Sequence, residues 1–426
     1  MKNLFLLLGL SLSICGWSQS PSSSIDEQLL SDIAVLTSDS LEGRLVGTEG
    51  EIKASKYIEK RMIALGLSPK GSVGFMQYFQ FTPKASPHKM SKEGETTLGT
   101  GYVKEQTGRN VIGFWDRGFK KTIVIGAHYD HLGWGDENSL WSGEKGIHRG
   151  ADDNASGVAS MLWIAQFLKQ QPTENLGESN YLFIAFSGEE KGLYGSNYFC
   201  KNPTIEKDQI SAMFNMDMVG RLKPERTLAI NGTGTSPFWN KAIKNQNKKL
   251  KQNKFELVLS TSGIGPSDQT SFYNIGVPAI HFFTGQHGEY HKPTDVVSLI
   301  NKDGLRDISY FISQLVLETG KENKLTFTAT KDESKENTAS NFKVTLGVMP
   351  DYLYSGEGLK LDGTKEGRPG AKAGLKSGDI IVQLGKFEIK DIYAYMNALG
   401  NFNPGDKTEV VFIRDGKKQK SPVTFE

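Results

Sequence analysis

The chain has 426 residues and a formal net charge of +2, with 50 Lys and Arg against 48 Asp and Glu. That length allows two or three domains with a proper core. The balanced charge excludes both a broad basic field for nucleic acid and an acidic tail, and the absence of long low-complexity tracts leaves a composition that reads as soluble and globular.

The N-terminus reads as an export signal. Met1-Lys2-Asn3 is a short basic start, residues 4–14 form an apolar run of 11 residues, and Gly16 and Ser18 supply the small residues of a cleavage site. The run is too short to span a bilayer and a polar Ser/Pro stretch follows it, so residues 1–19 are expected to be a secretory signal and the protein exported, periplasmic or extracellular. Lipid attachment through Cys15 ranks second, because Ile14 is a poor residue before a lipidated cysteine. Once the signal is removed Cys200 stands alone, and no internal disulfide is available. No further segment is long enough for a membrane helix, so none is expected after cleavage.

Residues 25–66 carry a helical pattern, with Ile52, Ala54, Tyr57, Ile58, Met62, Ile63 and Leu65 at helical spacing and Gly66 as a stop. Strands are expected at 110–114 and 122–127, a helix at 155–167, a strand at 181–186, a helix at 194–199 and a strand at 212–216. Residues 227–230 and 279–283 read as strands, 238–250 and 305–317 as helices. This alternation over about 250 residues predicts one α/β domain, residues 25–320, with a mostly parallel, mixed sheet flanked by helices. Residues 321–341, rich in Lys, Glu, Thr and Ser, read as a linker. Residues 342–426 return to strand-like alternation, with Asp415-Gly416 marking a hairpin turn, and read as a second, small domain.

The chemistry gathers at strand ends. Ser187-Gly188-Glu189-Glu190 follows the apolar run 181–186, where open α/β sheets bind ligands. Side chains of neighbouring residues diverge, so one carboxylate could hold a metal while the other moves a proton; alone, the pair would pass for a solvated turn. His128-Tyr129-Asp130-His131 follows the strand 122–127, and a histidine with a carboxylate two residues on fits a metal ligand whose other ring nitrogen is held. Gly150-Ala151-Asp152-Asp153-Asn154-Ala155-Ser156-Gly157 leads into a helix, where acids also serve as caps. Asp217, in Asn215-Met216-Asp217-Met218, sits in an otherwise apolar strand and implies a cation or a hydrogen-bond network. His287 and His291 follow the strand 279–283. A mixed set of imidazoles and carboxylates suits zinc, and its size suits two ions bridged by one carboxylate.

Taken in order, His128-Tyr129-Asp130, the Gly150 to Gly157 run, Ser187-Gly188-Glu189-Glu190, Asn215-Met216-Asp217 and Tyr290-His291 with Asp295 resemble the signature of the M28 family of co-catalytic zinc aminopeptidases. The resemblance covers residues 25–320 and implies a zinc-exopeptidase fold of the phosphorylase/hydrolase-like kind. It also implies roles. Asp153 would bridge two zinc ions, His128 and Asp217 would complete one site, and Glu190 and His291 the other. Glu189 would be the general base and Asp130 would orient His128. Asp152 could be a plain helix-start residue, His287 could lie near substrate or be structural, and Ser267-Asp268-Gln269 departs from a Ser-Asp-His stretch of some relatives and is given no catalytic role.

In the C-terminal region, Tyr354-Ser355-Gly356-Glu357-Gly358-Leu359 and Ala373-Gly374-Leu375-Lys376-Ser377-Gly378-Asp379 resemble a bacterial PDZ domain over 342–426. The first stretch is expected to present N–H groups to a terminal carboxylate, and Leu359-Lys360-Leu361 to add a peptide by edge pairing; the same loop could instead pack on the catalytic domain. The leading expectation is therefore a secreted di-zinc aminopeptidase acting on peptides. The alternatives are other M28 chemistry (carboxypeptidase action or glutaminyl cyclisation) and a non-catalytic binding protein that works through its PDZ domain.

Overall fold

The computed structural model describes residues 23–82, 105–135, 138–330, 344–351, 354, 356–365 and 367–425. The expected signal, with Cys15, and most of the expected linker lie outside them.

Among the described residues the first body is built on a nine-stranded sheet. Its elements in chain order are α1 (Ser23–Leu36), α2 (Glu49–Ala64), β1 (Ser68–Pro69), β2 (Met76–Phe81), β3 (Gln106–Trp115), β4 (Thr122–His128), α3 (Gly157–Lys169), β5 (Asn180–Phe186), α4 (Tyr194–Lys201), β6 (Ile210–Met216), β7 (Thr227–Asn231), α5 (Phe238–Lys249), β8 (Glu256–Leu259), α6 (Gln269–Asn274), β9 (Ala279–Phe283) and α7 (Lys302–Lys321). The strands lie in the order β1-β3-β5-β4-β6-β9-β7-β8, with β2 paired to β3. Adjacent pairs among β5, β4, β6 and β9 are parallel, while β3 joins β5 and β7 joins β9 antiparallel. The mixed, mostly parallel core of the sheet matches the alternation read from the sequence.

Every residue of β4, β5 and β6 is buried. Their apolar runs are continuous because helices cover both faces. Alternate residues go to opposite sides: Ile123, Ile125, Tyr181 and Phe183 pack under α1, α3 and α7, whereas Val124, Leu182 and Ile184 meet Phe199 of α4 and Phe272 of α6. Parallel strands end on the same side, so His128, the Ser187–Glu190 turn and Asp217 emerge together. Among the described residues no helix is long and apolar enough to cross a membrane.

The chain does not leave this body directly after α7. Leu325 is buried, the Thr328 amide donates to the Thr235 carbonyl at 2.8 Å, and the Tyr273 hydroxyl bonds Thr330. Polar composition alone made this stretch read as linker; its backbone is held all the same.

The second body comprises β10 (Val348–Pro350), β11 (Leu359–Thr364), α8 (Pro369–Lys372), β12 (Ile380–Leu384), β13 (Phe387–Glu388), α9 (Ile392–Leu399), β14 (Lys407–Arg414) and β15 (Lys417–Thr424). The expected hairpin turn at Asp415-Gly416 joins the last two. One expectation fails. The strand beginning at Leu359 is not an edge: β11 lies between β10 and β12, its Leu361 carbonyl is taken by the Gly378 amide, and the Gly358 amide is spent on the Lys390 carbonyl. Among the described residues β10, β13 and β15 each pair on one side only.

Candidate metal centre

Six side chains converge at the carboxyl ends of the parallel strands. His128 ends β4, Glu189 and Glu190 follow β5, Asp217 follows β6, and Asp153 sits in a tight turn that precedes α3. His291 comes from the long loop after β9 and stands at φ +55°. The peptide bond between Asp153 and Asn154 is cis.

The separations between these groups sort them by job. Nitrogen or oxygen ligands bound at about 2.0–2.1 Å around a tetrahedral zinc ion lie about 3.3 Å from one another. His128 Nε2 is 3.4 Å from Asp153 Oδ1 and 3.3 Å from Asp217 Oδ1. On the other side His291 Nε2 is 3.2 Å from Asp153 Oδ2 and 3.2 Å from Glu190 Oε2. Asp153 thus offers one oxygen to each imidazole, so the residues present fit two adjacent cations. Glu189 stands farther out, its Oε2 4.0 Å from His128 Nε2.

His131 also enters this centre, and the sequence reading assigned it nothing. Its Nδ1 lies 2.8 Å from Glu190 Oε1 but 3.9 Å from Asp153 Oδ2. The first is a hydrogen-bond distance to the oxygen that does not face His291, and the second is longer than the about 3.3 Å between ligands of one tetrahedral ion. His131 therefore orients Glu190, although with Asp153 and Glu190 it forms a group able to hold a cation. A histidine beside His128-x-Asp130 was the available signal.

Asp130 lies behind His128, its Oδ1 3.7 Å from Nδ1 and accepting the Glu189 amide at 3.1 Å. It links the two strand ends. Asp295 accepts the amides of Asp152 and Asp153 and so sets the bridging turn; burial, then Asp152, pushes its carboxyl up to about 6. Asp152 accepts the Gly220 amide at 2.6 Å and faces His287 at 3.2 Å. Both are therefore placed beside the centre as supports. Asp268 is buried near the same strand ends, and burial pushes it up to about 7.

Protonation follows burial and neighbours. Burial would raise the Asp153 carboxyl, but His128 and His291 outweigh it and hold it well below the usual range. Against the same burial His291 brings Glu190 down to about 2. Glu189 goes the other way, raised by burial and then by Asp217, Asp268 and Glu190, with only His128 opposing. Neighbouring acids thus differ in basicity, as proton transfer and ligation require.

Two buried ionic residues brace the turns. Arg44, wholly enclosed, donates to the carbonyls of Tyr129, Arg149, Gly150 and Leu36. Glu51 accepts the Ser187 hydroxyl at 2.7 Å, the Arg109 amide at 3.0 Å and the Tyr129 hydroxyl at 3.2 Å. The cavity over the centre has about 100 Å³ of free volume, and Met218, Pro266, His281 and Phe283 form its wall away from the ligands.

Residues 110–316 match the model of peptidase family M28, and residues 345–424 that of the PDZ domain. The chain carries an M28 peptidase domain followed by a PDZ domain. The chain is 27% identical over 253 residues to aminopeptidase YwaD of Bacillus subtilis, covering 57% of this chain and 51% of the relative. It is 32% identical over 195 residues to leupeptin-inactivating enzyme 1 of Streptomyces exfoliatus, covering 45% and 39%. The chain thus spans about half, or less, of the length of these curated relatives. Among solved structures, a zinc aminopeptidase from Bacillus subtilis superposes with a TM-score of 0.54 at 19% identity, over 71% of this chain and 98% of that one. Porphyromonas gingivalis glutaminyl cyclase superposes at 0.52 with 18% identity, over 69% and 98%. These likenesses show the fold.

Proposed function

We propose that the protein is an exported metallo-aminopeptidase that holds two zinc ions and removes N-terminal residues from peptides. The observation that carries this reading is the division of Asp153, one oxygen toward His128 and Asp217, the other toward His291 and Glu190, at the spacing of ligands around two ions. The curated relatives named as aminopeptidases support the reaction, and the signal-like N-terminus supports export.

Zinc held by His128, Asp153, Asp217, Glu190 and His291 would lower the pKa of a water molecule and polarise the scissile carbonyl. The chain supplies the rest. Glu189, outside the ligand set but within the cavity, takes the proton of the attacking water and gives it to the leaving amine. Asp130 keeps the His128 ring in place and holds the backbone of Glu189 through its amide. His131 steadies Glu190 through the oxygen that ligation leaves over. The apolar wall of Met218, Pro266 and Phe283 receives the N-terminal side chain.

The test is elemental analysis together with release of free amino acids from aminoacyl substrates. Two zinc per chain and amino-acid release support the proposal; no metal after gentle purification overturns it. Because the fold is shared with glutaminyl cyclases, an N-terminal glutaminyl peptide belongs in the assay, and conversion to pyroglutamate in place of hydrolysis would favour that chemistry.

A further inference from the structure

Asn138 grips one half of the centre from two directions. Its carbonyl lies 2.9 Å from Nδ1 of His291, which leaves Nε2 turned to the ligand position, and its side-chain amide donates to the Glu190 carbonyl at 2.7 Å. The main chain ties the same residues again, the Leu140 amide donating to the His291 carbonyl at 3.0 Å. Between them Ser139 is buried, its hydroxyl 2.8 Å from Nε2 of His148. None of these bonds reaches His128 or Asp217. The loop 138–140 therefore positions the His291–Glu190 subsite and not its neighbour.

The other side of this loop rests on the PDZ domain. Lys365, the residue after β11, donates its ammonium group to the Ser139 carbonyl. Its own amide is fastened to the Gly347 carbonyl at 2.7 Å, so the lysine is anchored to the PDZ sheet. Within β11, Asp362 is half-buried and within electrostatic reach of Lys223 and His287 of the M28 domain. The Lys365–Ser139 hydrogen bond thus ties the end of β11 to the rim of the metal centre. Domains joined by a linker move relative to each other unless something holds them.

We propose that Lys365 and Asn138 form a strut through which the docked PDZ domain positions His291 and Glu190, so that the affinity of one metal subsite, and not the other, depends on PDZ docking. The inference rests on the two-ion reading above. Lys365 and Asn138 are positioning residues: neither touches the cavity. Groups that orient metal ligands from behind typically change affinity by about 10–100-fold when removed.

The test uses the full chain, titrated with Co(II) and with zinc against a competing chelator, to obtain two dissociation constants and the visible spectrum of each cobalt ion. For Lys365→Met, one of the two constants should rise about 10-fold while the other stays within twofold; Lys365→Arg, which keeps a cationic donor, should restore it. Asn138→Ala should give the larger rise. Two unchanged constants in Lys365→Met overturn the strut and leave the two-ion reading standing. Weakening in Asn138→Ala without any in Lys365→Met also overturns it, since the loop would then act without the PDZ domain. Fewer than two ions in the unsubstituted chain overturns the two-ion reading, and the strut with it.

Discussion

Replacing Arg44 by methionine tests how much of the centre's frame hangs on one buried cation. Its guanidinium has no exposure and makes four hydrogen bonds, all to carbonyls, which join the Leu36 end of α1 to the turns at Tyr129 and Gly150. Bonds from a charged donor are worth about 1.5–3 kcal/mol each, so losing four costs about 6–12 kcal/mol before compensation. Two terms offset this. Burial pulls the Arg44 pKa from 12.5 to about 10, so the folded protein already gives up about 3 kcal/mol to keep the charge. The methionine side chain contributes about 2 kcal/mol by burying its own apolar surface. The net loss centres on about 4 kcal/mol, which for a body of this size lowers Tm by about 6 °C. Differential scanning calorimetry on EDTA-treated protein reads it directly, with the zinc-loaded protein run alongside. Arg44→Lys should fall between, because an ammonium has three donors and no planar fork. A Tm within about 2 °C of the unsubstituted protein in Arg44→Met would refute the reasoning, since four carbonyls, three of them buried, would then have lost the Arg44 donor at no cost.

Three further outcomes are expected. Glu189→Gln should retain two zinc ions while turnover falls about 10²–10⁴-fold, the usual worth of a positioned base; loss of zinc with the rate per remaining ion preserved would show that Glu189 is a ligand. Asp153→Ala should empty both subsites together in a zinc titration, because each loses an oxygen of the same carboxylate, and one ion still bound at full affinity would contradict the bridge. The third concerns pH. Burial lowers His281 from 6.5 to about 4, so between those values the unfolded chain takes up a proton that the folded chain refuses. Stability from this group is therefore unaffected above pH 6.5 and falls by about 3 kcal/mol as pH drops to 4. In urea titrations of metal-free protein, the stability difference between the unsubstituted chain and His281→Asn should change by that amount between pH 7 and 4; a constant difference would exclude the effect.

Much of this molecule is legible in its sequence for a definite physical reason. Strands covered on both faces must be apolar throughout, so β4, β5 and β6 stand out as runs, and chemistry-bearing residues stand out by interrupting or ending them. The weaker elements escaped. β2 and β8 lie toward the margins of the sheet and carry half-exposed or alternating residues, and α6 spans only six residues. The PDZ strand β11 was misread because a strand's pattern says which face is buried, never how many neighbours it has.

The sequence by itself determined that an acid and imidazole cluster lies at the carboxyl end of a parallel sheet, since the ends of parallel strands coincide in space whatever the loops do. Only the tertiary structure decided who touches whom. Adjacent side chains such as Glu189 and Glu190 diverge, and which of them meets His291 depends on a loop about a hundred residues away. Arg44, His131, Asn138 and Lys365 are unremarkable in the chain because their partners are carbonyls and carboxylates brought in by folding, and a backbone carbonyl has no letter in a sequence.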